Sequence, residues 1–231
     1  MQKLTFVIGA NAAGKTYFIE HHLANEKAVV LDVYDYQQKV YDEHGNKERI
    51  TFEEQFRCLK KANEKHLHDI INELKQGNDV IAEQTFFKAK RRIAYIDEIR
   101  KEMDVKIEVY VMHPSNERWI ENSKKREDME NIEVYEEQKK QMEFPNPAEG
   151  FDAIFEVVDD EIILRMDDIK PEIVKQARQE LTEEDRRIRR EDEREHKHRQ
   201  LLESMNTRPF WHYCEAVSYT HLRAHETLRH L

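Results

Sequence analysis

Residues 9–16 read Gly9-Ala10-Asn11-Ala12-Ala13-Gly14-Lys15-Thr16 and match the phosphate-binding pattern G-x-x-x-x-G-K-[ST] at every fixed position. The two glycines allow a tight turn and a close approach of the backbone to an anion. The amides between them form a nest of donors for that anion. Lys15 supplies positive charge to the outer phosphates, and the hydroxyl of Thr16 is a ligand for Mg²⁺. This stretch therefore predicts a nucleoside triphosphate site.

The residues on both sides of this loop have the patterns of a buried strand and of a helix. Before the loop, the run from Leu4 to Ile8 is apolar and rich in β-branched side chains, as in a strand covered on both faces. After the loop, Phe18, Ile19 and Leu23 recur at helical spacing. Strand, loop and helix in this order is the context that the motif requires, so we expect an α/β protein.

The composition limits the kinds of protein that this chain can be. It has 231 residues and a net charge of −10, enough length for one large α/β domain with an extension. The net negative charge argues against a protein that binds nucleic acid along its whole surface, but it does not exclude a local basic groove. Cys58 and Cys214 fit no metal or redox spacing, and no apolar run approaches the ~20 residues of a membrane span. We therefore expect a cytoplasmic protein without a membrane partner.

Beyond the loop, strand and helix patterns alternate along the chain. Apolar, β-branched runs predict strands at residues 28–33, 79–82 and 105–112. Apolar side chains at helical spacing predict helices at residues 52–75 and 88–103. Parallel strands joined by helical crossovers follow from this order.

Turn-forming residues and a later hairpin complete this part of the prediction. A polar loop is expected at residues 41–51, and two short strands at residues 153–158 and 161–166 are joined by a turn at Asp159-Asp160. The whole pattern predicts a three-layer α/β P-loop fold. Its sheet is expected to be mostly parallel and five-stranded, with a helical lid and a charged C-terminal helix.

The segment expected to form the lid is residues 116–142, which are helical in pattern and strongly charged. They contain few apolar anchors, so the pattern favours a mobile cover over a core helix. An arginine that closes over the γ-phosphate stabilises charge during phosphoryl transfer, and Arg126 is the preferred candidate. A solvated helix face is the alternative for Arg126 and for its neighbours Arg118, Lys124 and Lys125.

The C-terminal part of the chain divides into three segments after a P-loop domain expected to span residues 1–168. Residues 169–205 predict a charged helical extension or linker, and residues 206–215 the start of a truncated further segment. Residues 216–227 read AVSYTHLRAHET, which resembles one frame of a sequencing adapter. Residues 216–231 are therefore interpreted as read-through and not as native sequence.

Acidic side chains follow two predicted strands, at the ends where ligands bind in open α/β sheets. Asp35 comes just after the second strand, where a carboxylate either accepts a proton from an acceptor hydroxyl or caps a turn. Asp32 is the rival of Asp35 and an alternative ligand of Mg²⁺ through water. Glu83 and Thr85 close the third strand. Glu83 is predicted to hold Mg²⁺ or water, unless it caps the next helix, and Thr85 to orient the acceptor or a phosphate.

Two neighbouring arginines, Arg91 and Arg92, begin the helix that follows the third strand. Both are candidates for binding the acceptor, and a solvated helix face is the alternative. Gln84 lies between Glu83 and Thr85, so alternation along the strand is expected to direct it to the opposite face.

Taken together, these residues resemble two related groups of P-loop kinases, the kinase domain of phage-type polynucleotide kinases and the zeta-toxin family. The resemblance covers roughly residues 2–166. It is carried by the loop at 9–16 and by Asp35-Tyr36, Glu83-Gln84-Thr85 with Lys90-Arg91-Arg92, Asn122 with Arg126, and Phe144-Pro145-Asn146-Pro147 leading to Glu149-Gly150-Phe151.

The resemblance implies transfer of the γ-phosphate of ATP to a hydroxyl, with Mg²⁺ as a cofactor. It implies a nucleic-acid 5′-hydroxyl as acceptor in one group, and in the other a UDP-linked amino sugar, together with a small antitoxin protein as partner. By position it assigns Lys15 and Thr16 to the phosphates and Mg²⁺, Asp35 to the catalytic base and Arg126 to the lid arginine.

Within this resemblance the signals for the acceptor conflict. The pair Glu83-x-Thr85 is closer to zeta toxins, whereas the Pro-rich connector is closer to polynucleotide kinases. Gln37-Gln38 replace an arginine that is common in polynucleotide kinases after the catalytic aspartate, which weakens the nucleic-acid interpretation. The acceptor therefore stays open. An ATPase or nucleotide-dependent switch that acts through a protein partner is the alternative function, and the kinase end of a longer repair enzyme is another.

Overall fold

The computed structural model describes residues 2–23, 28–44, 51–125, 132–159, 161–167 and 169–206. The chain separates into two compact units, Met1–Glu180 and Leu181–Leu231. The first unit contains the sheet and the residues predicted to bind ligands. In the second unit the described residues, 181–206, are helical.

A six-stranded sheet forms the centre of the first unit. Its strands, in chain order, are β1 Lys3–Gly9, β2 Ala28–Asp32, β3 Asp79–Gln84, β4 Lys106–Met112, β5 Ala153–Val158 and β6 Glu161–Leu164. Their order across the sheet is β2-β3-β1-β4-β5-β6. Neighbouring strands are parallel except β5 and β6, which are antiparallel. The predicted α/β P-loop fold is confirmed, and the sheet has six strands instead of five because the hairpin adds β6 at one edge.

The described residues contain seven α-helices, which surround this sheet or follow it. They are α1 Lys15–Phe18, α2 Val33–His44, α3 Phe52–Lys75, α4 Ala89–Glu102, α5 Asn116–Lys124, α6 Ile132–Gln141 and α7 Pro171–Asn206. A π-helical turn at Ile19–Leu23 continues α1, and a 3₁₀ turn lies at Pro147–Glu149. None of the helices among the described residues is long and apolar enough to cross a membrane.

Apolar side chains cover both faces of the sheet, as the unbroken apolar pattern of β1 predicts. On one face Leu4 and Phe6 pack with Ile70 and Leu74 of α3 and with side chains of α4. On the other face Val7 packs with Phe18, Ile19 and side chains of β3 and β4. The sheet is therefore the middle layer of three, and the carboxyl ends of its parallel strands lie along one edge.

The polar loop predicted at residues 41–51 is wrong at its start, because residues 41–44 belong to α2. Val33, Val40 and Tyr41 of this helix are buried, and the last two pack on Cys58 and Ala62 of α3. Because this helix has few buried apolar positions, the spacing of apolar residues in its sequence does not clearly predict a helix. The turn predicted at Gly45-Asn46 lies outside the described residues.

Candidate active site

The loop at residues 9–16 follows the central strand β1, and its glycines have the backbone conformations that the motif requires. Gly9 has φ +152°, and a Cβ built on it would lie 2.8 Å from the carbonyl oxygen of Met112. Gly14 has φ +89°. Ala12 also has a positive φ, 58°. Any side chain at Gly9 would push the loop away from β4.

Lys15 is buried at the start of α1, and its ammonium group is directed back into the loop. The Nζ atom donates to the carbonyl oxygens of Ala10 at 3.0 Å and Gly9 at 3.4 Å. The loop thus holds a positive charge at its own turn. Since the charge is 5% exposed, water screens it less than it screens a surface lysine.

Thr16 and Glu83 form the polar floor of the site. The hydroxyl of Thr16 donates to the Glu83 carboxylate, with both carboxylate oxygens at 3.1 Å. The pairing of β1 with β3 sets this contact, because Val7 is opposite Glu83 in the register. A hydroxyl and a carboxylate that converge in this way are the oxygen donors that suit Mg²⁺. In the described part of the chain no group of three or more His, Cys, Asp and Glu side chains is arranged to hold a metal alone.

Gln84 confirms the expected alternation at the end of β3. Its amide donates at 3.2 Å to Asn63 Oδ1 and at 3.2 Å to the hydroxyl of Tyr95, on the face covered by α3 and α4. Glu83 is inside the strand and contacts Thr16, so the alternative in which it caps the next helix is wrong. Thr85 comes directly after β3 and is half-buried.

The two aspartates near β2 have different surroundings. Asp32 is the last residue of β2, and its Oδ1 accepts the amide of Tyr34 at 2.9 Å, the contact expected of a residue that caps α2. Burial raises the pKa of Asp32, and the nearby Asp35 raises it further, whereas the Tyr34 amide and Lys15 act in the opposite direction. Asp35 is exposed in the first turn of α2. The capping role thus belongs to Asp32 and leaves the Asp35 carboxylate facing solvent.

The lid is anchored, which corrects the prediction of a mobile cover with few apolar anchors. Trp119 of α5 and Tyr135 of α6 are 1% exposed and stacked, with ring centroids 4.7 Å apart, and they pack on Ala10 of the loop. The Tyr135 hydroxyl donates to Pro114 O at 2.7 Å, and burial raises the pKa of Tyr135 to about 12, so the donor stays protonated. Periodicity understated this anchor because it consists of two large aromatic residues.

Polar contacts also join the lid to the backbone of the loop. Trp119 Nε1 donates to Asn11 O at 2.7 Å, and Asn122 Nδ2 donates to Ala12 O at 3.2 Å. From α6, the Gln138 Oε1 atom accepts the amide of Asn11 at 3.1 Å. Asn122 was part of the resemblance, and the structure places it against the loop.

The preferred lid arginine, Arg126, lies outside the described residues. Among the other lid cations, Arg118 and Lys125 border a cavity of about 160 Å³ next to the loop. Gly14, Phe18 and Asp159 are also part of its lining. Two positive side chains therefore face a space that begins at the predicted phosphate site.

Arg91 and Arg92 do not share a surface, although they are neighbours in α4. Arg91 is exposed, which agrees with a role in binding a ligand. Arg92 is 1% exposed and forms a two-pronged ion pair with Glu149, at 2.7 and 2.8 Å, and a hydrogen bond to Phe86 O at 2.8 Å. The prediction that Arg92 binds the acceptor is therefore wrong.

The Pro-rich connector that contributed to the resemblance has a structural role in this protein. Glu149 Oε1 accepts the amide of Asn146, and Asn146 Oδ1 accepts the amide of Ala148 at 3.1 Å. Phe151, just beyond, packs edge-to-face on Phe6 in the core. The sequence did not reveal that Glu149 is the partner of Arg92, because no local pattern joins residues so far apart.

Comparisons with known proteins agree with this geometry. A family model described as an AAA domain matches residues 4–145. A comparison with curated protein sequences found no match. Among solved structures, the chain is similar to a candidate kinase from Chloroflexus aurantiacus, with 16% identity, a TM-score of 0.53 and coverage of 68% of this chain and 88% of that chain.

Two further similarities are of the same kind. The first is to a structure of the PezAT toxin–antitoxin system of Streptococcus pneumoniae, with 11% identity, a TM-score of 0.48 and coverage of 79% of this chain and 87% of that chain. The second is to the Pnkp1/Rnl/Hen1 RNA repair complex, with 15% identity, a TM-score of 0.45 and coverage of 61% and 44%. All three concern the fold alone. Because the family model matches more than half of the chain, the protein belongs to the AAA domain family, and its P-loop implies nucleotide binding.

Proposed function

We propose that the protein is a kinase that transfers the γ-phosphate of ATP to a hydroxyl of an acceptor. The observation that carries this proposal is the contact of Thr16 with Glu83 at 3.1 Å directly after the phosphate loop. The Thr16 hydroxyl and the Glu83 carboxylate serve the phosphate donor, and the exposed Asp35 at the start of α2 serves the acceptor. A motor or a switch has no need of a residue for an acceptor.

On the donor side, the loop amides and Lys15 bind the triphosphate. Thr16 and Glu83 are the residues that would hold Mg²⁺, which when bound supplies charge neutralisation on the phosphates. Glu83 suits this role better than Asp32, because its carboxylate already contacts the Thr16 hydroxyl at 3.1 Å, whereas Asp32 accepts the amide of Tyr34 at the start of α2. Arg126 of the lid is proposed to stabilise the charge that develops on the transferred group.

On the acceptor side, Asp35 is proposed to accept the proton of the attacking hydroxyl. Its carboxylate is exposed, and it lies close enough to Asp32 to raise the pKa of that carboxyl. Such a base must lie within hydrogen-bond reach of the hydroxyl that it deprotonates. Thr85 and Arg91 are proposed to orient the acceptor, from the end of β3 and the start of α4.

The charge of the acceptor side favours a small acceptor over a polynucleotide. A groove of about 670 Å³ between α2 and α3 begins at Tyr36, the residue after Asp35. In its lining the carboxylates outnumber the ammonium groups, with Asp42, Glu43, Glu64 and Asp69 against Lys39 and Lys65. A polynucleotide would require a basic track for its phosphates. Of the two acceptors implied by the resemblance, we favour the UDP-linked amino sugar, and with it an antitoxin-like protein partner.

The proposal is tested by incubating the full-length protein with γ-labelled ATP, Mg²⁺ and two acceptors, a UDP-linked amino sugar and a 5′-hydroxyl oligonucleotide. We expect label on the sugar nucleotide. Label on the oligonucleotide alone would retain the kinase but overturn the choice of acceptor. Release of labelled phosphate with label on neither acceptor would reject the kinase proposal in favour of an ATPase or switch.

A further inference from the structure

Asn11 is a residue of the phosphate loop at which three helices meet. From α2, the hydroxyl of Tyr34 donates to Asn11 Oδ1 at 2.7 Å. The two lid helices contact the backbone of the same residue, through Trp119 Nε1 on its carbonyl oxygen and Gln138 Oε1 on its amide. The side chain of Asn11 therefore faces the acceptor side, while its backbone is held by the lid.

Tyr34 connects this loop residue with the first turn of α2. Its amide is held by Asp32 Oδ1 at 2.9 Å, and its hydroxyl by Asn11. Its side chain is 44% exposed, so the ring contributes little to the core, in contrast to Val33, which is 2% exposed. The residue that follows Tyr34 is Asp35. A shift of the loop at Asn11 thus reaches the turn that carries Asp35 through one side chain.

We propose that the Tyr34–Asn11 hydrogen bond is a latch through which the nucleotide-bound phosphate loop fixes the first turn of α2. Asn11 and Tyr34 are then positioning residues for Asp35, and this part rests on the proposed function. When the loop amides bind a triphosphate, Asn11 is held in one position. Because Tyr34 is hydrogen-bonded to Asn11, the first turn of α2 is then restrained as well. Holding a base and a reacting phosphoryl group in register is a large part of what an enzyme supplies to a two-substrate reaction.

Hydrogen exchange of the full-length protein tests the latch without any acceptor. The probe is a non-hydrolysable ATP analogue with Mg²⁺. In the wild-type protein we expect the nucleotide to slow amide exchange both in the loop and in residues 33–44. In Tyr34→Phe and in Asn11→Ala we expect slower exchange in the loop but no change in residues 33–44. Tyr36→Phe is the matched control, because its hydroxyl lies on the same helix but donates to Asp69 of α3 at 2.9 Å. This control is expected to keep the response of α2.

Two results would overturn the latch: no response of α2 in the wild-type protein, or an unchanged response in both Tyr34→Phe and Asn11→Ala. Once an acceptor is labelled, kcat is expected to fall about tenfold in each variant, and in Tyr34→Phe, which lies outside the phosphate loop, the Kd of the nucleotide is expected to stay within about twofold. The double variant is expected to lose no more than either single variant, since both remove the same bond. Failure to label any acceptor would reject the kinase but leave the exchange result valid.

Discussion

The nucleotide side of the site and the acceptor side are built from different materials. The nucleotide side is β1, the phosphate loop, α5 and α6, and its contacts are mostly to the loop backbone, as with Trp119 on Asn11 and Lys15 on Ala10. The proposed acceptor side is the end of β2 with α2 and α3, together with Thr85 and Arg91, and its contacts join side chains from distant segments, as with Tyr36 and Asp69. Backbone geometry can be specified by a short contiguous motif, whereas a surface of side chains needs the fold to assemble it.

The largest expected effect is that of Lys15→Ala on the nucleotide side. Removal of a buried positive charge from the loop should lower phosphoryl transfer by about 10³-fold or more, because the charge on the phosphates then has no partner at this point. Transfer is measured with γ-labelled ATP and the acceptor found for the wild-type protein. Lys124→Ala, an exposed lysine of α5, is the control and should retain wild-type transfer. Substantial activity of Lys15→Ala would mean that backbone amides alone define the nucleotide side.

The neighbours Arg91 and Arg92 allow a comparison between an exposed arginine and a buried, ion-paired arginine in one helix. Arg92→Ala leaves the buried carboxylate of Glu149 without its ion-pair partner, so we expect a loss of about 3–5 kcal/mol in the free energy of unfolding. Arg91→Ala, at an exposed position, should change that free energy by less than about 0.5 kcal/mol. It should instead raise the KM of the acceptor.

Urea unfolding measures the free energy of unfolding of the two arginine variants. Initial rates at varied acceptor concentration measure the KM of the acceptor in Arg91→Ala. Equal stability of the two variants would contradict the structural role of the Arg92–Glu149 pair. An unchanged KM in Arg91→Ala would remove Arg91 from the acceptor side.

Asp35→Asn tests the chemistry of the acceptor side. Loss of the proposed base should lower turnover by about 10²-fold, within the usual range for a general base, while the nucleotide affinity changes little. Asp104→Asn is the control, an exposed aspartate outside the groove between α2 and α3. Nucleotide binding is followed by calorimetry and turnover by label transfer. If Asp35→Asn and Asp104→Asn were equally active, the base would have to be sought elsewhere.

The contrast between the two sides also explains what could be predicted from the sequence. Helix α3 was predicted at residues 52–75 from the spacing of its apolar side chains, and these are its observed limits. In the structure Thr51 and Glu54 form a capping box at its start, and Gly77 follows its end with φ +95°. The contact of Thr16 with Glu83 follows from strand order, since two adjacent parallel strands end at the same edge. In both cases the information is local or fixed by the architecture.

Features that depend on distant partners escaped prediction. The two ends of α2 were predicted as the end of a strand, at Val33, and as a loop, at residues 41–44, because the buried side chains of this helix are few and pack on α3. Arg92 was grouped with Arg91, although one step along a helix turns a side chain by about 100°. Its partner Glu149 lies 57 positions away, and only the folded chain brings the two together. The stacked pair of Trp119 and Tyr135 was missed for the same reason.

The smallest expected effect is a pH dependence of the free energy of unfolding, which originates at His66 of α3. This side chain is fully buried, and its Nε2 lies 3.1 Å from the carbonyl oxygen of Leu31 in β2. A carbonyl only accepts, so Nε2 carries the proton. Within the described residues Nδ1 has no hydrogen-bond partner. Burial lowers the pKa of His66 below its ordinary value of 6.5, and the contacts with Leu31 and Asp69 oppose this shift.

The sign of the effect follows from this direction. As the pH falls through about 6.5, His66 gains a proton in the unfolded chain before it does so in the folded protein, so the free energy of unfolding decreases. His66→Gln keeps a donor for Leu31 but does not titrate, and should lose less stability than the wild-type protein between pH 7.5 and 5.5. Equal pH profiles for His66→Gln and the wild-type protein would show that the attachment of α3 to the end of β2 does not depend on a neutral His66, and the acceptor side would then owe its position to apolar packing between α2 and α3.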